Sequence, residues 1–128
     1  MPRPLVAAKW KMYKTPEEAA AYLRRWASMP FPPDREVLFL PPFPLLAQVR
    51  DALPGGQSLG AQNLDEMDEG AFTGAVSPRL LSAMGCRYAL VGHSERRNVF
   101  GETDGRLGAK FRAALSHGLR PVFCVGER

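Results

Sequence analysis

The sequence predicts an α/β fold built on a parallel sheet, and three observations carry that prediction. Apolar strand-like segments recur at Leu5–Trp10, Glu36–Leu40, Ser58–Gln62, Arg87–Val91 and Pro121–Val125. Helix-like or turn-rich stretches separate them, of a length suited to crossovers, whereas antiparallel neighbours would need only tight turns. The run Tyr88-Ala89-Leu90-Val91 then meets Gly92-His93-Ser94-Glu95-Arg96-Arg97. That junction reads as a buried strand delivering a histidine to its carboxyl end, where α/β folds bind ligands.

Each helix has its own signals. The first opens on Thr15-Pro16-Glu17-Glu18, an N-cap, a proline at the first position and a capping-box glutamate, and carries Ala19, Leu23, Trp26 and Ala27 on one face. Met29-Pro30 closes it, and the tract through Pro33 reads as a loop. A short second helix runs from Pro44 through Leu53 and ends at Pro54-Gly55-Gly56. Ser77-Pro78 starts the third, with Leu80, Leu81 and Met84 apolar and Gly85 as its stop. The fourth spans Thr103 to His117, with Leu107, Phe111, Ala114 and Leu115 inward and Gly118 at its end. Gly105 and Gly108 weaken it by roughly 1 kcal/mol each relative to alanine. The count is five strands and four helices.

Composition bounds the function. At 128 residues and 45% hydrophobic content, the chain fits one domain with a real core. Cys86 and Cys124 sit in apolar segments without zinc-type spacing, so they read as small buried hydrophobes in a reducing compartment. No stretch approaches membrane-spanning length and the N-terminal apolar run is too short for a signal peptide, which makes cytoplasm the expectation. The net charge of +4 is scattered, with no basic stripe of a nucleic-acid reader.

The Ser-Glu-Arg-Arg after His93 reads as the first turn of a helix, with Ser94 as its cap and Glu95 just inside. Its N–H groups would point back at His93 and disfavour the protonated imidazole, leaving a neutral hydrogen-bond donor. Lys9 and Lys11 end the first strand on one face with Trp10 on the other. They read either as two snorkelling surface lysines or as a pair reaching an anion. His117, at a helix C-terminus, is assigned no role beyond a solvated or dipole-stabilising one. Tyr88 and Phe111 are packing residues.

Taken in order, Lys9-Trp10-Lys11-Met12, Gly60-Ala61-Gln62-Asn63, Glu69-Gly70-Ala71-Phe72-Thr73-Gly74, Cys86 to Arg97, Gly101-Glu102-Thr103-Asp104 and Cys124-Val125-Gly126-Glu127 resemble the triosephosphate isomerase family. The segment from Val91 to Arg97 is specific to that family. The resemblance implies a (β/α)8 TIM barrel of which residues 1–128 supply the N-terminal half. It also implies a cytoplasmic homodimer of glycolysis and gluconeogenesis, with a small phosphorylated triose as substrate and neither cofactor nor metal. Lys11 matches the active-site lysine, whose ammonium offsets phosphate and intermediate charge. His93 matches the electrophile that polarises the substrate carbonyl as a neutral imidazole, and this family is itself the standard example of that arrangement. Glu95 matches a carboxylate near the lysine, and Thr73 lies where the third loop crosses into the partner subunit. Arg96, Arg97 and Glu102 match structural charges near the dimer surface.

Two departures qualify the resemblance. Lys9 stands where the family has an asparagine that binds substrate and meets the partner's threonine. Two ammonium groups about 7 Å apart on one strand face would repel by roughly 2.4 kcal/mol at an effective dielectric near 20, so Lys9 is expected to turn outward or Lys11 to lose some charge. The second departure is length, since a closed eight-stranded barrel usually takes about 250 residues. The family's general-base glutamate follows the sixth strand, and its phosphate is held by the loop after that strand and by backbone N–H groups after the seventh and eighth. Glu127 follows the fifth strand and matches a structural glutamate. Three readings compete: the N-terminal half of a working isomerase, a non-catalytic half-barrel that pairs with a separate complement or self-associates, and a degenerate paralogue, which Lys9 would suit. The half alone is expected to be inactive and to aggregate or stay partly molten.

Overall fold

The structure is a computed structural model that describes residues 2–126, so Glu127 lies outside the described residues. The chain forms two compact units that divide between Gln62 and Asn63. In the first unit, β1 (Leu5–Lys9), α1 (Pro16–Ala27), β2 (Glu36–Leu40), α2 (Leu46–Ala52) and β3 (Gln57–Ala61) follow one another, with a short 3-10 turn at Phe43–Leu45 leading into α2. β1 runs parallel to β2 in the register Leu5 with Glu36 through Lys9 with Leu40, and β2 runs parallel to β3 from Val37 with Gln57 to Phe39 with Leu59. The βαβ crossovers thus carry the parallel pairing that the alternation predicts.

β2 is apolar without interruption because it is buried on both faces: Val37, Leu38, Phe39 and Leu40 are each at most 2% exposed. Phe39 receives the edges of Trp10 and Trp26, and Trp10 also meets Tyr22, at ring separations of 5.2 to 6.2 Å. Trp26 completes its bonding by donating Nε1–H to Gln57 Oε1 at 2.7 Å. This aromatic knot joins α1 to the sheet.

The second unit holds α3 (Pro78–Ala83), β4 (Tyr88–Val91), α4 (Ser94–Asn98), α5 (Asp104–Ser116) and β5 (Arg120–Phe123). β4 and β5 are parallel, from Tyr88 with Arg120 to Val91 with Phe123. Thr15 forms its predicted cap and Ser77 caps the helix it is expected to start, while Thr103, read as the first residue of its helix, is instead its cap; the three side chains accept from the N–H of Glu18, Leu80 and Arg106 at 3.3, 3.0 and 3.3 Å. Gly85 and Gly118 take positive φ just past α3 and α5. Cys86 and Cys124 are not joined in a disulfide.

Three expectations need correction. Five α-helices are present among the described residues rather than four, because Ser94–Asn98 is a separate helix, cut off from α5 by Val99–Thr103. Leu115 is 54% exposed, and Lys110 and Ala113 occupy the buried face of α5 with Leu107 and Ala114. Strand alternation stops at Lys9, since Lys11 lies beyond β1 with φ +55°. Lys9 and Lys11 therefore do not share one strand face, and the repulsion reckoned from that geometry lapses. Among the described residues no helix is long and apolar enough to cross a membrane.

Candidate active-site elements

His93 sits one residue past Gly92, which ends β4 at φ +79°. His93, not Ser94, is the N-cap of α4: it is extended at φ −54°, ψ 144°, and its Nδ1 accepts from the Glu95 N–H at 3.2 Å. Ser94 is already the first helical residue, so its hydroxyl does not cap. The Arg96 and Arg97 N–H groups bond His93 O at 2.9 and 3.1 Å and close the turn. An accepting nitrogen carries no proton, so this contact suits a neutral ring protonated at Nε2. A Glu95 carboxylate oxygen lies 3.5 Å from the same Nδ1, too long to compete with the backbone donor.

A cleft of about 570 Å³ opens beside His93, lined by Ser94, Asn98 and Asp104 and by the chain after β5 at Cys124, Val125 and Gly126. It lies at the carboxyl ends of β4 and β5, the end at which parallel α/β folds bind ligands.

In the first unit, Lys11 is exposed, and its backbone takes the left-handed conformation that a lysine adopts at a cost of about 1–2 kcal/mol. The side chain of Gln62 fastens that turn, with Nε2 donating to Lys11 O and to Leu40 O at 2.8 Å each. Lys9 is half-buried at the end of β1, its Cα opposite Leu40. Lys14 caps the aromatic cluster, 4.9 Å from the Tyr22 ring centre and 5.4 Å from that of Trp10.

Thr73 is exposed near the tip of a loop after Leu64, next to Phe72, which is 45% exposed. The loop's base is pinned by the Asp65 N–H donating to Val76 O at 2.9 Å. Its acidic residues are paired outward: Arg79 with Glu69 at 2.7 Å, His117 with Asp68 at 2.6 Å, and Arg106 with Asp65 and Glu66 at 3.5 and 3.4 Å. His117, read from sequence as roleless, is thus a loop anchor.

Glu102, expected from the resemblance as a structural charge near the dimer surface, has a side chain only 1% exposed, bonded by Lys110 and by Arg96 at 3.3 Å. Burial raises its pKa, but the hydrogen bonds and charges of Lys110 and Arg96 outweigh that and hold the carboxyl below the ordinary glutamate range. Sequence reasoning missed Lys110 and Gln62. Lys110 could have been found from its place three residues after Leu107 and four before Ala114, on the apolar stripe of α5. Nothing local marks Gln62, which is defined by what it reaches.

The triosephosphate isomerase family model matches residues 4–128. Triosephosphate isomerases of Carboxydothermus hydrogenoformans, Chloroflexus aurantiacus and Thermus thermophilus are 50%, 52% and 46% identical to this chain. The matches cover 99%, 97% and 99% of this chain and 51%, 50% and 51% of those proteins. The chain therefore spans about half the length of the curated relatives it matches. With its parallel βα units and its histidine-capped helix at a strand end, the chain belongs to the triosephosphate isomerase family and contributes part of that family's (β/α)8 barrel.

Proposed function

We propose that the full-length protein carrying this sequence interconverts dihydroxyacetone phosphate and D-glyceraldehyde 3-phosphate through an enediolate, in glycolysis and gluconeogenesis. Residues 1–128 are then the first half of one barrel domain. The reaction moves a proton between adjacent carbons and builds negative charge on oxygen. His93 is the electrophile that donates from Nε2 to the developing oxyanion, and Lys11 offsets the charge of phosphate and intermediate. Ser94 and Glu95 support them as parts of α4, Glu95 by supplying the N–H that orients the ring. The proton-abstracting glutamate comes from the sixth strand, beyond the five described here. No metal or cofactor takes part.

The observation that carries this reading is the Glu95 N–H bonded to Nδ1 of His93 beside an open cleft. It directs the ring proton to the opposite nitrogen. A coupled assay of triose phosphate interconversion tests the reading on the full-length protein, with chelator present. Turnover is expected, and His93→Gln should lower kcat by about a hundred- to a thousandfold. A parent protein without isomerisation overturns it.

The protein is further proposed to be a cytoplasmic homodimer in which Thr73 reaches the partner. The support is the family resemblance together with a braced loop that presents Phe72 and Thr73 to solvent. Lys9, in place of the family's asparagine, is a weak substrate contact at best, so Lys9→Asn should lower KM in the same assay.

A further inference from the structure

We propose that Arg97 is the positioning residue for His93: its side chain holds the peptide group entering the histidine, while its backbone N–H, through the helical bond that any residue here would make, holds the one leaving it. This rests on the reading of His93 as the site's electrophile. The Arg97 Nε–H donates to Gly92 O at 2.8 Å, and the Arg97 backbone N–H donates to His93 O at 3.1 Å. The first carbonyl belongs to the peptide entering His93 and the second to the peptide leaving it. Because peptide groups are planar, fixing these two planes fixes φ and ψ of His93 and so the direction of its Cα–Cβ bond. The Glu95 N–H then fixes the ring. One residue sets the backbone of the histidine while its neighbour sets the imidazole.

Arg97 is itself held from two other elements. Its Nη1 donates to Asp104 Oδ1, at the start of α5, at 2.7 Å, and its Nη2 donates to Cys124 O, just past β5, at 3.3 Å. The guanidinium also lies 5.6 Å from the Phe123 ring centre. Asp104 is 92% exposed, so that ion pair is screened and contributes little alone. The two carbonyls are the specific part of the clamp, and they need a fork: an ammonium could not reach Gly92 O, Cys124 O and Asp104 together. Gly92 is shaped for the same contact, since a Cβ there would stand 2.8 Å from Arg97 Nη2. The glycine serves both its own positive φ and the approach of the guanidinium.

The experiment is run on the full-length protein with Arg97→Lys, which keeps a cation and most of the packing, and Arg97→Ala. If Arg97 positions His93, kcat falls at least about tenfold while KM stays within about threefold, because a misplaced donor costs transition-state binding first. Added methylguanidinium should restore part of the Arg97→Ala loss. In ¹⁵N NMR the His93 ring of the parent should show one neutral tautomer, and that of the variants an average of two. The proposal is overturned by kcat within about threefold of the parent, by a loss confined to KM, or by a loss that tracks unfolding without rescue. Unchanged ring resonances with lowered kcat also overturn it, since the effect would not then pass through His93. An inactive parent would refute the proposed isomerase reading instead, and the ring resonances alone would then decide the positioning.

Discussion

Lys110 is 1% exposed, and its ammonium bonds both Glu102 and Asn63 Oδ1, the latter at 2.9 Å. A buried pair adds little net stability, but removing one partner strands the other charge in a poor solvent. Lys110→Met should therefore cost about 3 kcal/mol of unfolding free energy, and Lys110→Met with Glu102→Gln should cost less than Lys110→Met alone. Denaturant melts of the three proteins check this; equal losses would show that the charge left behind is not what hurts. The same pair sets a pH dependence. The folded pKa of Glu102 is depressed, so its contribution is fully present above the ordinary glutamate range and is lost as pH falls through that range towards the folded value. Glu102→Gln should flatten the acid limb of a stability profile and leave the slope of the neutral region unchanged. These residues were only half legible in the sequence. The helical stripe of α5 places Lys110 on the inner face, yet lysine composition argues outward, and only the arrival of Glu102 from a loop and Asn63 from far upstream decides between them. Lys11 shows the same division. Only the family resemblance marks it for an anion site, while its left-handed turn is fastened by Gln62, 51 residues away.

Helix starts were legible wherever the signal is local. Thr15, Ser77 and Thr103 cap α1, α3 and α5 because a short hydroxyl side chain in extended conformation reaches an N–H three residues on. The start of α4 broke that pattern: a serine was present, but the chain leaves β4 through Gly92 and turns one residue earlier, so the imidazole does the capping. A side chain that caps a helix and, in the proposed function, also serves as electrophile must satisfy both demands, which is where local rules are expected to yield. Gly92→Ala tests the junction. The positive φ and the close approach to Arg97 together predict a loss of about 1–3 kcal/mol in stability. Isomerase activity of the full-length variant should fall by more than stability explains; full activity at the reduced stability would contradict the coupling of Gly92 to His93. The loop after Leu64 makes a second element-scale prediction. Arg106 bridges Asp65 and Glu66 while 47% exposed, so the brace is salt-sensitive and each pair contributes at most about 1 kcal/mol. If the proposed dimer forms through this loop, Arg106→Gln in the full-length protein should raise its dissociation constant several-fold at low salt, and sedimentation should find parent and variant converging at high salt. Equal constants at both salts would remove the brace from the account of assembly.

At the scale of the molecule, the controlling fact is that the chain matches about half the length of its relatives. β1 of the first unit and β5 of the second each show what that means physically. Leu5 and Val6 of β1 are 40% and 50% exposed, and Phe123 of β5 is 41% exposed, although parallel strands in this architecture are ordinarily covered on both faces. β2, by contrast, is buried from Val37 to Leu40. Apolar strand surface left in water, beside backbone groups able to pair with another strand, favours association with any available edge. Expressed alone, residues 1–128 should therefore bind a hydrophobic dye, scatter light at micromolar concentration and turn over no triose phosphate, since in the proposed mechanism His93 and Lys11 only stabilise an enediolate whose generating base comes from the sixth strand. General-base catalysis commonly supplies about a hundred- to ten-thousandfold, so even an intact electrophile leaves little rate. Adding the remaining barrel strands of a family member as a separate polypeptide should suppress dye binding and restore measurable isomerisation together, because the same strands cover the apolar edges and carry the base. Restored solubility without turnover would mean that the complement docks but does not bring its base to the electrophile. Turnover by residues 1–128 alone would require a base within them and would sink the division of the site that the family resemblance implies.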